Sequence, residues 1–249
     1  MSLLDKAMAS VGVGAAKVEI QLNSQKFCKG DQVNGLVKVS GGKTEQKASK
    51  ISIILMAYID FEEGRYENGK SIEISKFDIA HDVTIKPNQE LKIPFSFVLP
   101  TDTPSSFDKD TVWIEASLDI KMAVDPSNKV YLDVMPHPYT QSILNILQKD
   151  WKFILTNYEN IYVPNNGRHL PIVPVYEFNS AARLIDNIDE MRMMFFVDDL
   201  RGLEIIIELP GKSSVSNNTI NILIHKQEFE KGNSNLADVL LNSIKSHLA

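Results

Sequence analysis

The amino-acid sequence predicts an all-β protein built as two β-sandwich lobes with short helices at both ends. Three observations carry that prediction. Apolar and polar residues alternate over most of residues 17–225, the period of a half-buried strand and not of a helix. Turn residues interrupt the alternation at short intervals, which favours sandwiches over strand–helix–strand units. The 249 residues exceed one ordinary sandwich of about 100 residues and suit two.

The elements follow in chain order. Leu3, Leu4, Ala7, Met8 and Val11 share one side of a short amphipathic helix that Gly12 and Gly14 end. Only Lys6 is basic there, whereas membrane-surface helices carry several cations. Val18, Ile20 and Leu22 then alternate, and Lys29-Gly30-Asp31 turns the chain. Val33, Gly35, Val37 and Val39 form a second run; Ile51, Ile53, Leu55, Ala57 and Ile59 form a third. Glu62 to Lys70 reads as an exposed loop, and Ile72 to Ile85 as a further strand. Leu91, Ile93, Phe95, Phe97 and Leu99 alternate around Pro94, which implies an edge strand or a bulge. From Val112 to Val124 seven same-phase apolar positions make a long strand whose register must be firm, since one residue of slippage exposes all seven.

Asp125-Pro126-Ser127-Asn128 turns, and Val130 to Val134 is a short strand. Met135-Pro136-His137-Pro138 breaks regular structure and suits a stiff connection between lobes. Ser142 to Gln148 predicts a short helix. Runs around Phe153, Tyr176, Phe195, Ile205 and Ile222 repeat the strand rhythm. Leu236, Val239, Leu240 and Ile244 return to helical spacing, with Ser234 or Asn235 as the cap. The expected organisation is a helix and linker at 1–16, a sandwich at 17–134, a second at 139–230 and an amphipathic helix at 234–248. The lobes join near 125–138.

Composition narrows the function. The formal net charge is −6 and no Lys/Arg cluster appears, so nucleic acid is not an expected partner. No run approaches the ~20 apolar residues of a membrane span, and no signal-peptide pattern opens the chain. The lone Cys28 forms no internal disulfide. Together these predict a cytoplasmic protein.

Catalytic chemistry finds no support. His81, His137, His169, His225 and His247 lack a metal-ligand spacing. His81 and Asp82 are strand neighbours and should face opposite ways. Asp198-Asp199 reads as a turn. Gly12-x-Gly14 precedes a strand where a dinucleotide loop follows one, and Gly211-Lys212-Ser213-Ser214 lacks the earlier glycine of a phosphate loop. Cys28 lies beside Lys26 and Lys29, which would lower a thiol's pKa, but nothing pairs with it as a base. No catalytic residue, cofactor or metal is expected. Tyr58, Met56 and Trp113 fall on the outward phase of strong strands. Tyr58 and Trp113 are therefore the expected protein-interaction residues, against the alternative that a loop or the other lobe covers Trp113. Strand edges also offer main-chain groups for strand addition.

PFSFVLPTDTPSSF (94–107) followed by VWIEASLDIKMAV (112–124) resembles the amino-terminal domain of arrestin-type proteins. Leu99-Pro100 ends an alternating strand, Pro104 precedes Ser105-Ser106-Phe107, and a long strand follows. GVGAAKVEIQL (12–22), KGDQVNGLVKVSGGKTEQK (29–47), LDVMPHPYTQSILNIL (132–147) and PIVPVYEF (171–178) are similar to the bacterial sporulation-control protein M family, whose fold is arrestin-like. Lys29-Gly30-Asp31 departs from that family's more frequent Pro-Gly-Glu and still forms a turn. The resemblance implies two arrestin-like lobes and a regulator of entry into spore formation that acts by interaction. The expected function is thus a non-catalytic regulatory or adaptor protein with protein partners, self-association and peripheral membrane contact remaining open. The alternative is a small-ligand or glycan-binding sandwich, which would need clustered aromatics; here they are dispersed.

Overall fold

The computed structural model describes residues 16–59, 69–107, 111–120, 127–164, 166–181, 188–198, 200–209 and 219–248. The amino-terminal helix, the loop from Glu62, Met122, Val124, the Asp125-Pro126 turn, Asp199 and the polar loop from Pro210 lie outside the described residues. The chain forms two compact units. One comprises Met1–Tyr58 and Ser71–Met135, the other Ile59–Lys70 and Pro136–Ala249.

The described elements of the first unit are strands: β1 Lys17–Leu22, β2 Lys26–Cys28, β3 Gln32–Ser40, β4 Gln46–Ile59, β5 Lys70–Ile85, β6 Glu90–Val98, β7 Val112–Ile120, β8 Ser127–Tyr131 and β9 Asp133–Met135. They make a three-stranded sheet β1-β3-β6, a four-stranded sheet β5-β4-β7-β8 and a short pair β2-β9, the last parallel. Val33, Val37 and Val39 of β3 are fully buried, as are Ile51, Ile53, Leu55 and Ala57 of β4 and Val112, Ile114, Ala116 and Leu118 of β7. These are the alternating positions of the sequence pattern. Each large aliphatic chain buried this way contributes about 1.5–3 kcal/mol, which locks the register. Pro94 stands on β6, an edge strand, where a missing N–H is tolerated.

Gly35 explains itself by packing. It pairs with Phe95 across β3 and β6, and a Cβ at Gly35 would come within 2.4 Å of the Phe95 ring. Phe95 lies over the space the glycine leaves. Its ring centroid is 6.2 Å from Phe97, and Phe97 stacks on Phe77 of β5 at 4.3 Å. This run of rings links the two sheets.

In the second unit β10 Phe153–Tyr162, β11 Ile172–Ser180, β12 Glu190–Asp198, β13 Gly202–Glu208 and β14 Thr219–His225 pair in sequence order as one antiparallel five-stranded sheet. Helix α1, Pro138–Asn145, is capped by the His137 ring, whose Nδ1 accepts the Tyr139 N–H at 3.2 Å. It begins four residues before the predicted start, because proline suits the first helical turn. It runs on through a wider turn, Ile146–Asp150, closed by Trp151 N–H to the Ile146 carbonyl at 2.9 Å. After the short α2, Lys226–Glu230, comes α3, Asn233–Leu248. Leu236, Leu240 and Ile244 of α3 are buried and the helix packs on β14 and α1. That stripe is spent inside its own unit. The helix starts ahead of the expected cap residues, and Asn235 instead donates to Glu228 at 2.8 Å.

Candidate functional site

The four-stranded sheet of the first unit has an outer face that the sequence picked out in part. Tyr58, Met56, Ile54, Ser52 and Lys50 of β4 point to it, as do Trp113, Glu115, Ser117 and Asp119 of β7. Register sets their neighbours: Met56 pairs with Trp113 and Trp113 with Tyr131; Ile54 pairs with Glu115 and Glu115 with Lys129. Tyr58, two residues beyond Met56, is anchored by its N–H to the Thr111 carbonyl at 2.7 Å. One end of the face is therefore an aromatic patch carried by three strands.

Tyr58 is exposed, at 38%, as its phase requires. Trp113 is not: it is 4% exposed, which corrects its reading as an exposed anchor. The indole does lie on the outward face, but β8 covers it. Lys129 Nζ sits 3.6 Å from the Trp113 ring centre and 4.3 Å from that of Tyr131. Tyr131 tilts against Trp113 with centroids 6.0 Å apart, and the indole Nε1 donates to Glu115 Oε1 at 2.7 Å. The adjoining strand β8 thus supplies cover for the indole. Tyr131 takes over the exposed role at 39%. The signal for it was available in the alternation of Lys129 and Tyr131 against Val130 and Leu132.

The other end of the same face is polar. Lys50 Nζ meets Asp78 Oδ2 at 2.9 Å and Ser52 Oγ donates to Asp78 Oδ1 at 2.8 Å. These hydrogen bonds hold the Asp78 carboxyl below its usual range and raise Lys50. Ser49 donates to Asp119. Asp82 of β5 takes φ 51°, a left-handed conformation within the strand. Lys47, Ala48, Ser49, Asp82 and Thr84 line a cavity of about 340 Å³; no aromatic ring is among them.

Burial pushes the Cys28 thiol up, and Asp31 adds to it, outweighing the lowering by Lys26 that the sequence suggested. Lys29 is 8% exposed, and burial depresses its amine to about 8 despite the charge of Asp102. Asp198 serves its turn, accepting the N–H groups of Leu200 and Arg201 at 2.9 and 3.0 Å and the Arg201 guanidinium at 2.6 Å. His137 caps a helix and His81 lies on β5. Among the described residues, no three His, Cys, Asp or Glu side chains gather as a metal site, and no helix is long and apolar enough to cross a membrane.

Comparison with known proteins places these features in a lineage. Residues 4–212 match the family model described as SpoOM protein. The chain is 33% identical over 214 residues to a protein of Bacillus subtilis (strain 168) named Sporulation-control protein spo0M, covering 86% of this chain and 82% of that one. The crystal structure of Spo0M, sporulation control protein, from Bacillus subtilis superimposes with a TM-score of 0.83 at 28% identity, covering 95% of this chain and all of the other.

Proposed function

This chain belongs to the Spo0M family, and on that premise we propose that it is a non-catalytic regulator of sporulation that works in the cytoplasm through protein contacts. The family membership supports the sporulation role. The carrying observation for the contact mechanism is the outer face of β4, β7 and β8. Two tyrosines stand exposed there beside a partly exposed methionine, on a rigid sheet whose register is fixed from beneath. Aromatic side chains on a preformed surface bind at small entropic cost, and Tyr and Trp recur among the residues that dominate interfaces.

The reading is tested genetically and on the surface at once. Deleting the gene from its host should change the yield or the timing of heat-resistant spores. The wild-type gene should restore both, and a Tyr58→Ala, Tyr131→Ala double variant, present at normal level, should not. A deletion strain that sporulates normally would remove the regulatory reading. A double variant that complements fully would move the contact surface elsewhere.

A further inference from the structure

Resting on the reading of this face as a protein-contact surface, we propose that its occupant is a partner segment in which a carboxylate stands beside an aromatic or aliphatic side chain. The carboxylate takes the Lys129 ammonium, and the apolar side chain lies on Met56, Tyr58 and Tyr131.

Charge sets the first half of this assignment. Lys129 is exposed, and its ammonium rests over the faces of Trp113 and Tyr131. Among the described residues it has no carboxylate within ion-pair distance. Glu115, directly across the ladder, has turned its Oε1 to the indole nitrogen. The contrast with Lys50 on the same face is sharp, because Lys50 is matched by Asp78 at 2.9 Å. Aromatic faces attract a cation without cancelling its charge or filling its outer hydrogen-bonding positions. Lys129 is therefore a cation held over two rings that still has donors to give. A carboxylate completes it with a charge-assisted bond. A basic segment does not: it meets like charge, and the aromatic site a cation would seek already holds Lys129.

Shape sets the second half. Tyr58 and Tyr131 expose 38% and 39% of their surface, while Trp113 between their strands is covered. Met56 and Tyr58 on β4 and Tyr131 on β8 flank the ammonium, which lies over the Trp113 ring of β7 between them. That arrangement accepts one ring or branched aliphatic chain next to the acid. The formal net charge of the whole chain is −6, so the long-range field does not recruit an acidic partner. Selection rests on the local contact and should weaken with added salt.

A library of displayed random peptides panned on the full chain tests this directly. Enriched peptides should carry Asp or Glu adjacent to Phe, Tyr, Trp, Leu or Ile. Lys129→Met should weaken them about tenfold, and Lys129→Arg should retain them. Lys129→Met keeps the aliphatic stem over the rings, and an unchanged melting temperature certifies its fold. Enriched peptides that are basic or uncharged, or acidic peptides indifferent to Lys129→Met, would overturn the proposal. If such uncharged peptides still depend on Tyr58 and Tyr131, the contact face stands and only the acidic occupant falls. If no enriched peptide depends on Tyr58, Tyr131 or Lys129, both readings fall.

Discussion

Trp113 and Tyr58 occupy the same outward phase of neighbouring strands, yet one is buried and the other exposed. Period-two patterning tells which face a side chain leaves by; it is silent on what a neighbouring strand lays over that face. The difference should be measurable. Trp113→Ala removes a ring packed under Lys129 and Tyr131 and strands the Glu115 acceptor, so it should cost about 3 kcal/mol or more. Tyr58→Ala should stay within about 0.5 kcal/mol. Urea unfolding of the two variants decides, and equal losses would contradict the burial described. Lys29 makes a second case, with the sign set by its lowered pKa. Folded, its amine titrates near 8; unfolded, near its usual value of about 10.4. Between those values the unfolded chain binds more protons, so stability rises with pH across the window. Below about pH 8 the full cost of the buried ammonium is present. Lys29→Met should therefore stabilise the protein at pH 7, and its advantage should shrink as pH climbs from 8 towards 10. An advantage that is constant with pH would show that the amine is not the cause.

At the scale of elements, the strands were legible because each buries one face, and burial writes its period into the sequence. Pro94 announced its edge, and the stripe at Leu236, Leu240 and Ile244 announced a helix together with the side it buries. What escaped were features set by partners far along the chain. The expected strand from Val130 to Val134 divides into β8 and β9 at Leu132, because Val130 pairs with Ile114 of β7 while Val134 pairs with Phe27 of β2. Gly35 reads only as one position of its alternating run until Phe95 is found lying over it. The outer patch was half legible for the same reason. Tyr58 was found on its own strand, whereas Tyr131 and Lys129 became meaningful only when β8 was placed beside β7. The family resemblance supplied what periodicity lacked, a reason to connect the architecture with sporulation.

For the whole molecule, the two units differ in how far apart their paired strands lie in the chain, and this sets an expectation for folding. In the first unit Val37 pairs with Ile93, Leu55 with Ile114 and Phe27 with Val134. Long loops must close before those pairings reward the chain. In the second unit every described strand pairs with the next in sequence, as in Val175 with Met194 and Ile205 with Ile222. Local pairings form faster than distant ones at similar stability, because less loop entropy is lost before contacts are made. The chain carries two tryptophans, and they divide between the units: Trp113 on β7 and Trp151 just before β10, both buried. Trp113→Phe leaves fluorescence to report the second unit, and Trp151→Phe leaves it to report the first. On dilution from urea, the Trp151 signal should return before the Trp113 signal, and the order should persist at low protein concentration, where association contributes nothing. Equal rates, or an earlier Trp113 signal, would mean that strand separation does not govern the order in which this chain folds.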